Sequence, residues 1–237
     1  MERAPENITV LFKQEYFNTR FPYDPRRKNV WREVSRWLQS NLIPEDAKVM
    51  ELGAGYCDFI NDIKAKEKYA VDVFERLDEY ANSDVHTRIQ SCTDLSFVSD
   101  GHLDVIFASN LFEHLTHEEL LATLEEIRRV LRPDGRLILL QPNFKYCYRT
   151  YFDDYTHLQI FTHMGMYDLL EMTGMEVEKI FAKFLPVNMK STLRLRLPFL
   201  GLLVRAYLHF PLKPRAGQML VVARNRLPLG VEKRPQN

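Results

Sequence analysis

The chain has 237 residues, enough for one domain with a sizeable core and a small addition, and too few for two full domains with a linker. Hydrophobic residues make up 46% and charged residues 27%, which excludes disordered and fibrous classes. The formal net charge of +0 argues against a dedicated nucleic-acid binder, so no nucleic-acid partner is expected. That zero conceals an asymmetry. Residues 179–231 carry 10 Lys or Arg and no Asp or Glu, whereas residues 1–178 carry 20 basic and 31 acidic residues. An acidic body followed by a basic region points to an anionic surface or ligand near the latter.

Cys57, Cys92 and Cys147 are odd in number, far apart and without a C-x-x-C pair. Neither a disulfide framework nor a zinc site is expected, and a reducing compartment is. Met1 to Glu6 form no apolar h-region, so no signal peptide is expected. No apolar run reaches the ~18 residues that span a bilayer. The expectation is a cytoplasmic protein.

In chain order, residues 25–42 predict an amphipathic helix. Pro25 suits a first turn, and Val30, Val34, Trp37, Leu38 and Leu42 recur at helical spacing beside Trp31. Pro44 closes that unit. Val49–Leu52 predicts a strand that runs into the glycine turn Gly53-Ala54-Gly55. Strands follow at 69–73, 87–90 and 103–108. Residues 117–132 predict a helix whose apolar face is Leu120, Leu121, Leu124, Ile127, Val130 and Leu131, stopped by Arg132-Pro133-Asp134-Gly135. A strand at 136–140, a helix at about 164–173 ending at Gly174, and strands at 176–182 and 218–223 complete the pattern. Strands alternating with helices predict an α/β fold with a parallel sheet. The expected division is a helical lid at 1–45, an α/β core at 46–185, an apolar and basic insert at 186–215, a last core strand at 216–226 and a tail at 227–237.

The chemistry concentrates at the first strand. In an open α/β sheet, ligands bind beyond the carboxyl ends of the strands where strand order reverses. The glycine turn Glu51-Leu52-Gly53-Ala54-Gly55-Tyr56-Cys57 lets backbone N–H groups approach a ligand there, and Asp72 stands at the end of the second strand. A carboxylate in that place can take both hydroxyls of a ribose. A dinucleotide fingerprint needs glycine where Asp58 stands, and that carboxylate is expected to repel a pyrophosphate. Glu51 suits a cationic ligand. The turn therefore favours S-adenosylmethionine over NAD as cofactor.

These segments resemble class I S-adenosylmethionine-dependent methyltransferases. Val49–Cys57 is similar to their first motif, and Asp72 matches their ribose acid. Residues 107–115, Phe-Ala-Ser-Asn-Leu-Phe-Glu-His-Leu, resemble the motif after their fourth strand, and residues 129–137 resemble the junction of helix and fifth strand. The resemblance covers roughly residues 45–145. It implies a Rossmann-like, doubly wound, seven-stranded sheet with an antiparallel last strand. It also implies a cofactor site made of Glu51, Gly53, Gly55, Asp72 and Asn110. The acid that meets adenine falls on Ser91, Cys92 or Asp94, with Asp94 preferred. The third glycine of the motif is Cys57 here, small enough for binding to survive. A narrower resemblance, carried by Tyr16 to Trp31, Tyr151 to His157 and Gly217-Gln218-Met219, is to bacterial methyltransferases found among polysaccharide-assembly enzymes. In related enzymes the segment before the first strand folds over the cofactor, so Tyr16, Arg20 and Tyr23 are candidates, with Arg20 for the cofactor carboxylate.

The expected activity is methylation of an oxygen on a sugar, glycan or glycolipid intermediate. Other small-molecule acceptors and a non-catalytic binding partner are the alternatives. Alignment of acceptor and methyl does most of the work, and a base helps where the acceptor is a hydroxyl. His114 and His157 are the candidate bases, since imidazole titrates near neutral pH. The plain alternatives are a brace after the fourth strand for His114 and a loop hydrogen bond for His157. Gln141 and Asn143 stand after the fifth strand, where loop backbone also needs partners. No His, Asp or Glu cluster shows metal-ligand spacing, so no metal is expected. The insert reads as a substrate lid, a peripheral membrane contact or a dimer interface, or as a segment packed on the sheet with its charges in water.

Overall fold

The computed structural model describes residues 22–186 and 199–226. The expected contacts of Tyr16 and Arg20, the stretch 187–198 and the tail lie outside the described residues.

Helix α1 (Arg27–Leu42) buries Val30, Trp31, Val34, Leu38 and Leu42, the stripe its spacing predicts. Trp37 is half-buried beside them and meets the Phe184 ring at 4.9 Å. The chain then alternates through β1 (Lys48–Leu52), β2 (Glu67–Asp72), α2 (Leu77–Tyr80), β3 (Val85–Ile89) and β4 (Leu103–Ser109). A 3-10 turn at Phe112–His114 leads into α3 (His117–Val130), then β5 (Leu131–Pro142), α4 (Phe144–Cys147) and a 3-10 turn at Tyr151–Asp153. The remaining elements are α5 (His163–Met172), β6 (Met175–Pro186), α6 (Leu200–His209) and β7 (Ala216–Asn225). A reciprocal cap starts α3: the Glu119 N–H donates to Thr116 Oγ1, and the Thr116 N–H donates to the Glu119 carboxylate. Gly174 has φ +82°, as a residue that ends a helix in the left-handed region should.

The seven strands form one sheet in the order β3-β2-β1-β4-β5-β7-β6. β7 runs antiparallel to both neighbours, and the other pairings are parallel. Alternate residues feed two cores. Ile138 and Leu140 of β5 join Val34, Leu38, Phe59 and Phe107 on one face. Leu137 and Leu139 join Leu124, Ile127, Met166 and Leu170 on the other. This period-2 split is what buried strands with both faces covered require.

Two boundaries differ from the pattern. β5 begins at Leu131 rather than at 136, because Leu131 already pairs with Leu103 and the register shifts before Val105 meets Arg136. The Pro133–Gly135 stretch that ends α3 is therefore a bulge within the strand, with Asp134 at φ +61°. β6 runs on to Pro186 through further register shifts against β7. Within the basic region, α6 buries Leu208 and half-buries Leu200, Val204 and Tyr207 against the α1 core. Leu202 and Leu203 remain exposed. No helix among the described residues is long and apolar enough to cross a membrane.

The far end of the sheet carries a polar network. The Tyr69 hydroxyl donates to Glu67 at 2.7 Å, His102 Nε2 lies 2.9 Å from the same carboxylate, and Lys48 Nζ is 3.1 Å from it. The Tyr69 hydrogen bond, opposed by some desolvation and joined by His102 and Lys48, holds the Glu67 carboxyl down at about 2, against an ordinary 4.5. A depressed acid contributes stability that is present above its unfolded value. That contribution is lost as pH falls from about 4.5 towards about 2. Glu67→Gln should flatten the fall in melting temperature between pH 5 and pH 3, by an amount worth about 1 kcal/mol or less at this solvated site. An unchanged acid limb in thermal scans would contradict the assignment.

Candidate active site

The carboxyl ends of β1 and β4 flank the point where strand order reverses, which opens the crevice typical of this sheet. Gly53 follows β1 with φ +67°, and a Cβ there would come within 3.1 Å of the Leu111 side chain. Both backbone and space therefore demand glycine. The Gly53 and Ala54 N–H groups donate to the Val71 carbonyl at 2.9 and 3.3 Å, which ties the turn to β2. The Gly55 N–H donates to Asp72 Oδ2 at 2.7 Å, and the Phe74 N–H donates to Oδ1 at 2.9 Å. Desolvation pushes the Asp72 carboxyl up, and these backbone donors oppose it. The carboxylate is pinned at the rim of the crevice with acceptor capacity left on both oxygens.

Cys57 occupies the left-handed region with φ +56° and is buried. A motif glycine would take that conformation without cost, and a cysteine holds it against steric resistance. Burial pushes its thiol far up, so it is an inert, packed group.

Glu51 is also buried, and its Oε2 accepts the Ile60 N–H at 3.0 Å. Desolvation pushes its carboxyl well up, with repulsion from Asp58 and Asp72 adding to it. Glu51 thus braces the segment after the turn. Asp58 does not offer the repulsive charge its position implied. It is buried and ion-paired with Arg27 of α1 at 3.0 Å, and the Arg27 guanidinium lies 5.5 Å from the Tyr56 ring centroid.

The three residues considered for the adenine contact part company. Cys92 is packed in the core, 3.3 Å from Thr123 Oγ1. Ser91 Oγ lies 2.8 Å from Thr93 Oγ1. Asp94 is exposed and accepts the Ser96 N–H at 3.0 Å. Apolar surface is available nearby: Val73, just past β2, and Ile89, the last residue of β3, are 48% and 46% exposed.

Asn110 follows β4 with φ +50°. Its N–H donates to the Leu140 carbonyl at 2.9 Å, and its Oδ1 accepts from Gln218 at 2.7 Å. Gln141, next along β5, is fully buried, and neither atom of its amide has a hydrogen-bond partner among the described residues. Asn143 instead serves the backbone, donating to the Ala182 carbonyl at 2.9 Å. A pinned carboxylate for a ribose, apolar faces for a base and an orphaned amide for a polar tail fit an adenosyl amino acid. The turn 53–57 offers no Lys or Arg for a pyrophosphate.

His114 and His157 come together, with ring centroids 5.0 Å apart. The loop carrying His157 is clamped to the turn after β4: the Leu158 and Gln159 N–H groups both donate to the Glu113 carbonyl, at 2.7 and 3.1 Å. The Thr156 hydroxyl donates to Asp154 at 2.6 Å, so its oxygen is left to accept from His114 Nδ1 at 3.0 Å. That contact puts the imidazole proton on Nδ1 and makes Nε2 the basic nitrogen. The buried Tyr151 ring packs 4.5 Å from His157, and its hydroxyl donates to the Gln159 carbonyl. Glu113, 1% exposed, completes the group. Ligand-capable atoms of Glu113, His114 and His157 all lie within 4.8 Å of one another. Chain spacing does not reveal this trio, because the loop after β5 must fold back to form it.

Residues 50–139 match the model of the methyltransferase domain family. No curated protein sequence matches the chain. Among solved structures, a chain in the complex of the Haloferax volcanii Trm112 methyltransferase activator superposes with a TM-score of 0.66 at 15% identity, covering 92% of this chain and 99% of that one. An S-adenosylmethionine-dependent methyltransferase of Archaeoglobus fulgidus gives 0.59 at 18% identity, over 92% and 100% of the two chains. One from Mesorhizobium loti gives 0.56 at 14%, over 81% and 95%. Likeness at such identity establishes the fold. S-Adenosylmethionine is the cofactor that belongs with this domain and fold. Residues 50–139 therefore match a methyltransferase domain, and the seven-stranded sheet that holds them has the fold of the class I S-adenosylmethionine-dependent enzymes.

Proposed function

We propose that the protein methylates an oxygen of a sugar, glycan or glycolipid intermediate in the cytoplasm. The observation that carries this reading is the His114–His157 pair, clamped at the turn after β4, with exposed rings on the same loop as His157. Tyr148, Phe152 and Tyr155 are 55%, 57% and 70% exposed on the loop after β5. Rings displayed on a polar surface offer apolar faces to the C–H faces of a sugar, and each tyrosine adds a polar tip suited to its rim.

Asp72 takes the ribose hydroxyls, and the Gly53–Gly55 turn brings backbone close to the nucleoside. Glu51 acts at one remove, by holding the turn through Ile60. Asn110 and Gln141 face the amino-acid part, Arg20 meets its carboxylate, and Asp94 serves the adenine. Bound there, the cofactor supplies an electrophilic methyl group. The acceptor oxygen must be aligned with it and relieved of its proton, which the imidazole pair accomplishes by accepting that proton. The exposed apolar residues of α6, with Arg205, Lys213 and Arg215 nearby in sequence, suit contact with an anionic lipid surface bearing such an acceptor.

The test is transfer of labelled methyl from S-adenosylmethionine to a panel of nucleotide sugars, lipid-linked saccharides, quinones and phenols. Mass spectrometry would locate the new methyl group. Label on a saccharide hydroxyl is the expected result. Label only on a quinone or phenol would replace the acceptor class, and cofactor binding with no transfer to any acceptor would favour a non-catalytic partner.

A further inference from the structure

We propose that Glu113, His114 and His157 hold a divalent first-row transition-metal ion that activates the acceptor oxygen. This rests on the acceptor side being where the preceding section puts it. The ion replaces free imidazole as the agent that removes the acceptor's proton.

The donor set argues first. Two imidazoles and one carboxylate form a borderline ligand set suited to zinc, iron(II), cobalt(II) or manganese(II), and three protein ligands leave positions open for substrate. The donors come from two segments far apart in sequence, yet hydrogen bonds lock those segments together at the cluster itself. Leu158 and Gln159 are held on the Glu113 carbonyl, and His114 is held on Thr156.

The outer contacts argue second. His114 gives its Nδ1 proton to Thr156 Oγ1, which in turn donates to the buried Asp154 carboxylate. A hydrogen bond on the far nitrogen, relayed to a carboxylate, is how metal-ligating histidines are oriented and made more basic. It aims Nε2 towards Glu113, whose Oε1 lies 4.0 Å away. That 4.0 Å is wider than the ~3.4 Å between donors of a tetrahedral site with bonds of ~2.1 Å. Closing that difference takes a side-chain swing of about an ångström, within reach of half-buried imidazoles.

The group transfer balances. The acceptor hydroxyl, its acidity raised by the ion, releases its proton to water. An oxygen lone pair forms the new bond to the methyl carbon as the carbon–sulfur bond breaks. The electron pair of that bond stays on sulfur, which changes from a sulfonium cation to a neutral thioether. No oxidant or reductant is required.

The experiment is titration of the chelator-treated full chain with Co2+, followed by visible absorption and by calorimetry. One equivalent should bind with micromolar or tighter affinity and develop ligand-field bands. His157→Ala and Glu113→Gln should each weaken that binding at least tenfold. Calorimetry with S-adenosylhomocysteine on the same samples should be unchanged, which keeps misfolding apart from lost ligation. Thr156→Val, which leaves all three ligands in place, should weaken Co2+ to a smaller degree. Absence of stoichiometric Co2+ binding by the folded chain overturns the proposal, and so does binding that survives in His114→Ala/His157→Ala. Undiminished methyl transfer by metal-free protein overturns it too and returns the pair to the role of base. Failure of every acceptor in the panel, with one Co2+ bound and lost in the variants, would count against the acceptor class and leave the metal site standing.

Discussion

Asp72→Ala should lower affinity for S-adenosylhomocysteine by about a hundredfold or more, read by calorimetry on folded protein. A charge-assisted hydrogen bond is worth about 1.5–3 kcal/mol, and a carboxylate gripping two ribose hydroxyls supplies two of them. Each 1.4 kcal/mol is about a factor of ten in affinity, so about 3–4 kcal/mol corresponds to two or three decades. The side chain has a second duty, because it accepts the Gly55 and Phe74 N–H groups and shapes the turn. Asp72→Asn separates the two. The amide oxygen keeps one backbone donor satisfied while the charge is gone, and a loss of about tenfold is expected. A ligand analogue lacking the ribose hydroxyls completes the cycle. It should bind the parent protein weakly and lose little more in Asp72→Ala. Equal losses for both ligands would mean that Asp72 acts only through the turn, and affinity within about threefold of the parent would remove it from the site.

The legibility of this site follows from how each part is encoded. The turn after β1 is local: Gly53 needs its positive φ and its clearance from Leu111, so the glycine is visible in the chain as such. Asp72 is visible because parallel strands of similar length end together, and Leu52 of β1 pairs with Val71 just before it. The order of strands and helices is carried by hydrophobic period. α1 and α3 bury nearly the stripes their spacing implies.

The boundaries of β5 and β6 were less legible, since they depend on bulges against β4 and β7 rather than on local preference. Least legible were contacts between segments distant in the chain. His114 and His157 are each recognisable as residues able to carry chemistry, whereas Glu113 has no such mark in the chain. What joins them is a loop clamped by backbone bonds to the Glu113 carbonyl, and no side-chain pattern reports a backbone clamp. Asp58 is a similar case. Its carboxylate reads as a charge facing a ligand until α1 is seen to bring Arg27 onto it.

That pair sets the largest expected loss of stability. Arg27→Met should destabilise the protein by about 3–5 kcal/mol, the usual cost of stranding one member of a buried ion pair. Arg27 Nη2 and Asp58 Oδ2 are 3.0 Å apart, and the two side chains are 15% and 4% exposed. The methionine keeps the aliphatic bulk but leaves the carboxylate buried without its counter-charge. A domain of this kind has about 5–15 kcal/mol in total, so the change should be plain as a lower urea midpoint.

The pH dependence has a definite sign. Burial already raises the Asp58 carboxyl above its ordinary 3.8, with Arg27 the leading opposing influence. Removing the arginine lets it rise further. An acid whose folded value exceeds its unfolded one favours the folded state at low pH, and that contribution is lost as pH rises through the folded value. Arg27→Met should therefore be closer to the parent at pH 5 than at pH 8. Adding Asp58→Asn should recover most of the loss and abolish the extra pH dependence, because no buried charge then remains. A single-variant cost below about 1 kcal/mol would class the pair with solvated surface bridges. The pair also joins α1 to the segment that follows the glycine turn. The stranded charge should thus weaken S-adenosylhomocysteine binding as well, and Asp58→Asn should restore stability and affinity together. Recovery of stability without recovery of affinity would instead assign Arg27 a contact of its own with the cofactor.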